Sequence, residues 1–217
     1  MSRQQERARR TRSAIVRSAA AEFAKRGYAA ASLSSILENS NATKGAMYFH
    51  FTSKEDLARA VLDEGLDRYR AIVDRWAESA ELDPFERLYG LVTDLGDALR
   101  NDEVIAAEFR LVTEPEFARE AQLRGGYVWG RAGYALAVEA RDAGLFRDGV
   151  DVRRFVEAVA SSLAGQRYLV DLTAEDVDVS TRFAACLEVP LEAMASEKWL
   201  GEWGRRGWSR VRTSALP

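Results

Sequence analysis

The sequence TKGAMYFHF, residues Thr43–Phe51, contains no acidic side chain, although charged residues make up 30% of the chain. Thr43 can cap a short helix with its hydroxyl, and the glycine at position 45 weakens that helix by about 1 kcal/mol relative to alanine. A position that accepts this cost often lies where another backbone comes close. Hydroxyl, ammonium and imidazole donors around one short helix suit phosphate oxygens. The alternative is a small amphipathic core helix whose Tyr and His are only hydrogen-bonded inside the protein.

A second short helix precedes this stretch. Ser32 can cap a helix over 33–39, in which apolar residues recur at helical spacing. Residues 40–42 then make a tight turn into the helix that follows. Two short helices joined by such a turn are typical of the helix-turn-helix motif, whose second helix enters the DNA major groove.

Several spaced motifs between about residues 8 and 60 occur in a familiar order. They are Phe23-Ala24-Lys25-Arg26-Gly27-Tyr28, Ser32-Leu33-Ser34-Ser35-Ile36, Thr43–Phe51 and Ser53-Lys54-Glu55-Asp56-Leu57. Together with the Arg-rich start, they closely resemble the N-terminal domain of the TetR family of bacterial repressors. Asn41 stands where that family usually has glycine, and the turn can survive because Asn enters the left-handed region readily.

The motif and the resemblance together predict a set of DNA-binding residues. The set is Ser32, Ser34, Thr43, Lys44, Gly45, Ala46, Tyr48, His50 and Lys54. We expect Thr43, Tyr48, His50 and Lys54 to position phosphates. We expect Lys44, Gly45 and Ala46 to face base edges.

The charge distribution supports a nucleic-acid partner, although the whole chain has a net charge of -3. Residues 1–60 hold eleven Lys or Arg against five Asp or Glu, a net charge of +6, so the rest of the chain stands at -9. Such asymmetry indicates a basic polyanion-binding module on an acidic body. A solvated basic face with no partner is the alternative.

The remainder of the chain predicts helices and no strand. After a flexible basic arm, a first helix should run from about Arg9 and end at Gly27 as its C-cap. The fold class is all-α with about nine helices. Residues 1–52 would form a three-helix DNA-binding domain with its arm, and residues 53–217 a ligand-binding and dimerisation domain.

Two later helices contain residues that disfavour helix. The glycine pair Gly125-Gly126 should kink or interrupt one of them, and Pro190 should kink or break another. The Trp-rich segment after residue 199 has no counterpart in the rest of the sequence, and no element is predicted for it.

Aromatic residues with polar tips recur in the second domain, as in pockets for small organic ligands, which are mostly apolar with few polar groups. The predicted ligand-binding residues are Tyr69, Trp76, Phe109, Tyr127, Trp129, Gly133 and Gln166. The alternative is that these rings are ordinary core residues.

The family resemblance adds a function to these residues. TetR-like proteins bind an effector in the second domain, and the effector releases DNA. Within the family, the Lys44–Phe51, Arg110-Leu111 and Tyr127-Val128-Trp129 segments look most like those of the γ-butyrolactone autoregulator receptors of actinomycetes. That resemblance implies that Trp129 stacks over a lactone or furan signal.

The helices predicted over about 152–172 and 180–199 carry apolar stripes that need partners. We expect them to form the four-helix interface of a homodimer. The predicted interface residues are Val156, Leu163, Val170, Phe183, Leu187 and Leu191.

Other classes of function lack their residues. One His and one Cys, Cys186, cannot form a metal-ligand cluster or a nucleophile–base–acid set, and no phosphate-binding loop motif occurs. We therefore predict no metal, no cofactor and no enzymatic activity. The absence of an apolar run of 18 residues and of an apolar signal core predicts a cytoplasmic protein without a membrane partner.

The combined prediction is a homodimeric repressor that binds a pseudo-palindromic, double-stranded operator. A small, mostly apolar effector, such as a γ-butyrolactone or furan-type signal, would release it. One alternative is a TetR-like sensor of a drug or acyl derivative that controls efflux or catabolic genes. Another is a helical interaction module that does not bind DNA.

Overall fold

The computed structural model describes residues 3–173 and 178–214, without the side chains of residues 121, 122, 124–129, 170–173 and 212–214. This part of the chain forms eleven α-helices and no strand. They are α1 (Arg3–Ala30), α2 (Leu33–Ser40), α3 (Lys44–His50), α4 (Lys54–Ala77), α5 (Pro84–Asn101), α6 (Glu103–Leu111), α7 (Ala118–Asp142), α8 (Val152–Thr173), α9 (Val179–Met194), α10 (Glu197–Arg206) and α11 (Ser209–Ser214). The all-α prediction is confirmed. The predicted number of helices is too low because α10 and α11 follow the ninth.

The chain divides into two compact units. Unit 1 comprises Met1–Tyr69 and Ala98–Gly126, and unit 2 comprises Arg70–Asp97 and Tyr127–Pro217. This division by packing differs from the predicted functional division after residue 52, which follows the motifs. The functional division stays a prediction. In the described residues, no helix combines the length and the hydrophobicity needed to cross a membrane.

The core of unit 1 is built around α1. Ile15 and Phe23 of α1 are fully buried, in agreement with the predicted apolar stripe, and they share one cluster with Ile36 of α2 and Met47 of α3. Leu111 at the end of α6 belongs to the same cluster. The helix-turn-helix segment is therefore fastened to α1 through its apolar faces.

The start of α1 corrects one prediction. The helix begins at Arg3, so the predicted flexible arm is helical from that residue on. Glu6 lies in its first turn and accepts hydrogen bonds from Arg9 and Arg10, each at 3.0 Å. These pairs lie at helical spacing, where they support the helix. Gly27 leaves the helical conformation, with φ 73° and ψ 174°, but it does not end α1 as predicted, because a helical stretch continues to Ala30.

The helix continues at both positions where a kink or an interruption is predicted. α7 runs through Gly125 and Gly126 from Ala118 to Asp142, and α9 contains Pro190 without ending there. Propensity is a weak preference that tertiary packing overrides. Pro190 is itself buried.

In unit 2, the Trp-rich C-terminal helices pack against the start of α5. The ring of Trp199 meets Phe85 edge to face at 5.0 Å, and the ring of Trp208 stacks on Tyr89 at 4.0 Å between centroids. Trp199 is 3% exposed and Trp208 is 4% exposed. The segment that the sequence leaves without an element is therefore part of the core of unit 2.

Candidate DNA-binding surface

The start of α2 is held by a buried carboxylate of α1. Glu22, which is 5% exposed, accepts hydrogen bonds from the backbone N–H of Ser32 at 3.2 Å and from the Ser35 hydroxyl at 3.3 Å. The Ser32 hydroxyl accepts from the Ser35 N–H, which confirms the predicted N-cap. Ser18 donates to the Ile36 carbonyl at 2.8 Å. These bonds to α1 fix the direction of α2.

The turn between α2 and α3 has the predicted geometry. Asn41 adopts the left-handed conformation, with φ 52° and ψ 30°, at the position where the family usually has glycine. The Thr43 hydroxyl accepts a hydrogen bond from the Ala46 N–H at 3.1 Å and caps α3. The predicted helix-turn-helix is thus present, with α2 capped by the Ser32 side chain and α3 capped by the Thr43 side chain.

The helix α3 has one buried face and one exposed face. Met47 is 1% exposed and joins the core of unit 1, whereas Tyr48 is 47% exposed and Phe49 is 80% exposed. Lys44 and Gly45 are exposed as well, and the Lys44 ammonium lies 6.0 Å from the centre of the Tyr48 ring. The outer face therefore presents donors and rings without a single carboxylate.

Gly45 has open space around it. A Cβ atom built at this position would meet only the Thr43 hydroxyl oxygen, at 4.0 Å. The described part of the chain thus gives no steric reason for a glycine here. The space is available to a partner's backbone.

The predicted DNA-binding residues differ in how far they face outward. The exposed ones are Ser32, Ser34, Thr43, Lys44, Gly45 and Tyr48. Ala46 and His50 are half-buried. Lys54 is also half-buried, and its ammonium donates to the Ala29 carbonyl at 3.3 Å and lies 4.7 Å from the Tyr28 ring centre. Part of the donor capacity of Lys54 is therefore used inside the protein.

Sequence reasoning missed Phe49, which lies on this surface, and Glu22, a buried residue that anchors α2. Phe49 is the most exposed ring of the surface, and its position beside outward-facing Tyr48 was the available signal. Glu22, which anchors α2, could not be found from local sequence because its partners lie 10 and 13 residues further along. Arg12 adds a cation over the ring of Phe51 at 5.1 Å, close to the end of α3.

The predicted ligand-binding residues fall in both units. In unit 1, Tyr69 and Phe109 are buried and their rings stack at 5.6 Å. In unit 2, Trp76 is 3% exposed and donates its indole N–H to Asp94 at 2.6 Å. The Trp76 ring packs on Gly90, where a Cβ would lie 2.3 Å from it.

The other predicted ligand-binding residues belong to unit 2. Gly133 and Gln166 are half-buried, and the Gln166 side-chain oxygen is buried with no hydrogen-bond partner in the part of the chain described. The side chains of Tyr127 and Trp129 lie outside the described residues. The role of this set toward a ligand stays a prediction.

The predicted dimer residues are largely internal. Phe183, Leu187 and Leu191 are at most 1% exposed within their own chain, so their side chains are not available to a partner. The apolar stripe of α9 faces the core of unit 2 instead, and this corrects its assignment to an interface. Val156 and Leu163 are half-buried, and the Val170 side chain lies outside the described residues.

The two capped helices and the acid-free outer face of the second one are typical of DNA-binding proteins of the helix-turn-helix class. Residues 15–61 match the family described as bacterial regulatory proteins, tetR family. Over 154 residues the chain is 31% identical to the HTH-type transcriptional repressor KstR2 of Mycobacterium tuberculosis, which covers 65% of this chain and 72% of that protein. The chain therefore belongs to the TetR family of bacterial regulatory proteins, and these relatives are named regulators rather than enzymes.

Two further similarities are more specific in name. The chain is 36% identical over 126 residues to the A-factor receptor protein of Streptomyces griseus, over 58% of this chain. It spans only 41% of the length of that receptor. The structure is similar to that of a gamma-butyrolactone receptor described as ArpA-like, with a TM-score of 0.74 and 24% identity over 96% of this chain and 99% of that one. This second likeness shows a shared fold.

Proposed function

We propose that the protein is a transcriptional repressor that binds operator DNA as a homodimer and leaves it when a small, mostly apolar effector binds. The observation that carries the proposal is the outer face of α3. It exposes Lys44, Gly45, Tyr48 and Phe49 while Met47 locks the same helix into the core. Membership of the TetR family supports the same function.

In this proposal α3 lies in the major groove. Lys44 reaches base edges, where a good contact discriminates by about 1–3 kcal/mol, and Gly45 allows the backbone to approach. Ala46 and the exposed ring of Phe49 offer apolar contact, which suits thymine methyl groups.

Phosphate contacts frame this reading helix. Hydroxyls of Ser32, Ser34, Thr43 and Tyr48, with His50 and the remaining donors of Lys54, position the backbone of the DNA. The arginines of α1 add attraction that does not depend on sequence and that weakens with salt.

The proposed dimer uses the outer faces of α8 and α9, which pack against each other. Ala160, Ala164 and Tyr168 of α8 are exposed, as are Ala185 and Val189 of α9, and Tyr168 and Val189 are 63% and 67% exposed. Small residues beside exposed apolar ones allow two helices to approach closely. A Val189→Arg substitution should give monomers in light scattering, and Leu123→Arg, at a site that is 70% exposed on α7, should leave a dimer. A Val189→Arg dimer would rule this interface out.

The proposed effector class is a γ-butyrolactone or a related furan. The resemblance of Arg110-Leu111 and Tyr127-Val128-Trp129 to autoregulator receptors supports it, together with the similarity to the A-factor receptor. The second candidate is a sensor of another hydrophobic compound. It is favoured by 30% identity over 79 residues to a probable acrEF/envCD operon repressor of Escherichia coli, which covers 36% of that protein.

A selection experiment tests the DNA-binding half of the proposal. Wild-type protein should enrich duplexes with two inverted half-sites from a random library, and its affinity should fall steeply with salt. Recovery of no common sequence would contradict it.

A release experiment separates the effector classes. The selected duplex is bound in a gel shift, and a synthetic acyl γ-butyrolactone or a hydrophobic drug is added. Release by the lactone alone supports the first candidate. Release by the drug alone supports the second, and release by neither compound contradicts both effector classes.

A further inference from the structure

The break in α1 leaves two backbone groups without their helical hydrogen-bond partners, and side chains from α6 and from the turn after it bind them instead. In an uninterrupted helix the Tyr28 N–H would donate to the Ala24 carbonyl, but the ψ of 174° at Gly27 turns this peptide away. The Tyr28 N–H donates to Glu114 Oε1 at 3.1 Å, and Arg110 Nη1 donates to the Ala24 carbonyl at 2.7 Å. We call this pair of side-chain bonds, made by Arg110 and Glu114, the clasp.

Glu114 occupies a defined position in the clasp. Its backbone N–H donates to the Leu111 carbonyl at 3.0 Å, and its carbonyl accepts from the Ala118 N–H at 2.9 Å. The carboxylate oxygen lies only 3.3 Å from where a Cβ at Gly27 would be. Glycine is thus needed here both for the positive φ and for the close approach of Glu114.

The clasp is joined to the helix-turn-helix over a short distance. The Tyr28 ring meets Phe117 edge to face at 4.8 Å and receives the Lys54 ammonium at 4.7 Å. Lys54 opens α4 just after α3, and Ser32, which caps α2, follows Tyr28 by four residues. The break in α1 is therefore connected to the entrance of α2 and to the exit of α3.

We propose that Arg110 and Glu114 are positioning residues for operator reading. By holding both sides of the α1 break, they set the direction in which the chain enters α2, and so the orientation of α2 and α3 depends on α6. This inference rests on the proposed function, because it assigns the clasp to sequence-specific DNA binding. A clasp that only satisfied two backbone groups would affect stability and leave recognition by the folded protein unchanged.

Two substitutions at one position separate reach from charge. Glu114→Asp keeps the charge but withdraws the carboxylate by one methylene, whereas Glu114→Gln keeps an acceptor oxygen at full reach. Glu116→Asp, at an exposed position in the same turn, is the matched control. The probes are a duplex selected by the wild-type protein and a scrambled duplex of equal length.

Glu114→Asp should bind the selected duplex about tenfold more weakly and the scrambled duplex within about twofold of wild type. Glu114→Gln and Glu116→Asp should keep both affinities within about twofold of wild type. In hydrogen exchange, Glu114→Asp should also speed exchange at the Tyr28 amide and across residues 32–50. A folded Glu114→Asp protein with wild-type preference for the selected duplex would overturn the proposal.

Two other results have a defined meaning. If wild-type protein selects no duplex, the proposed function fails, and hydrogen exchange then decides the clasp alone. Unchanged protection of residues 32–50 in Glu114→Asp would overturn it. If Glu114→Asp does not fold, Arg110→Gln is compared in the same way, and a preserved preference for the selected duplex would again overturn it.

Discussion

Basic and aromatic side chains occur together in two regions, α3 and the α10–α11 segment, but the aromatic rings are exposed in the first and buried in the second. In α3, Tyr48 and Phe49 are exposed beside Lys44. In α10 and in the turn that leads to α11, Trp199 and Trp208 respectively are buried. The same residue types thus form an outer surface in unit 1 and a core in unit 2.

The neighbouring acids explain the difference. The Glu86 carboxylate, 1% exposed, pairs with Arg206 at 3.1 Å and with Arg210 at 3.0 Å. Trp199 donates to Asp83 at 3.1 Å. Residues 43–51 contain no acid, and among the described residues no acid pairs with a side chain of α3. The donors of α3 are therefore left for a partner. A basic and aromatic composition indicates a nucleic-acid surface only where the protein supplies no acids of its own.

The largest effect separates the two regions by stability. Trp208→Ala should lower the free energy of unfolding by about 3–5 kcal/mol, because the ring stacks on Tyr89 and its N–H donates to Glu188. Phe49→Ala should change it by no more than about 0.5 kcal/mol, since that ring is exposed. Denaturant unfolding measures both. An equal loss of unfolding free energy in the two variants would contradict the difference between a buried and an exposed aromatic region.

The next effect separates them by DNA binding. Lys44→Ala should weaken binding to a selected operator by about 1–3 kcal/mol and relax discrimination at one or two base pairs. Arg205→Ala removes an exposed cation from α10 and should leave operator affinity unchanged. Fluorescence anisotropy at fixed salt compares them. A larger loss of operator affinity in Arg205→Ala than in Lys44→Ala would show that the DNA binds at α10 and not at α3.

A matched pair of glycines sharpens the comparison further. Gly45→Ala and Gly201→Ala both add a methyl group where nothing lies closer than 4.0 Å, so neither should lose stability, and a helical interior position gains up to about 1 kcal/mol. Only Gly45→Ala should weaken operator binding, by about tenfold or roughly 1.4 kcal/mol, because its methyl group meets the DNA. Wild-type operator affinity in Gly45→Ala would show that no partner approaches this position.

The smallest effect concerns two acids with opposite pH behaviour. Burial raises the pKa of Asp102, but hydrogen bonds from Arg68 and from the Val104 N–H outweigh it and lower the pKa below the ordinary 3.8. Burial raises the pKa of Glu86 above 4.5 against the hydrogen bond from the Asp83 N–H. The stabilisation from Asp102 is therefore present above pH 3.8 and is lost as the pH falls through its lower folded pKa. The charge on Glu86 costs stability as the pH rises through its raised pKa.

Asp102→Asn should thus cost about 1 kcal/mol at neutral pH, with a difference from wild type that shrinks at acid pH. The stability of Glu86→Gln relative to wild type should increase as the pH rises. Unfolding at several pH values tests the two signs. Parallel pH profiles for the two variants would contradict the assigned directions.

The helix-turn-helix of α2 and α3 was predictable because its caps and its turn depend on residues close together in sequence. The caps at Ser32 and Thr43 and the left-handed Asn41 are each decided within a few residues, and all three are confirmed. Gly27 breaks the helical backbone, but α1 continues to Ala30 instead of ending there. The C-terminal cluster depends on bonds such as that between Trp199 and Asp83, 116 residues apart. A local sequence pattern cannot reveal a contact between residues so far apart, and for this reason no element was predicted for that segment.

The same limit explains the dimer residues. An apolar stripe shows that a helix face needs a partner but not whether the partner belongs to the same chain. The stripe through Phe183 and Leu187 is covered by unit 2 itself. Exposed Phe49 is the opposite case, because its apolar type alone predicts a buried side chain and only the neighbouring Tyr48 indicated an outward position.

Hydrogen exchange of the full chain with and without a selected operator duplex tests the central contrast most directly. We expect added protection in residues 43–50 and in the basic start of α1, and none in residues 197–211 beyond that seen with a scrambled duplex. Operator-dependent protection confined to residues 197–211, with residues 43–50 unchanged, would contradict the assignment of α3 as the surface that reads DNA.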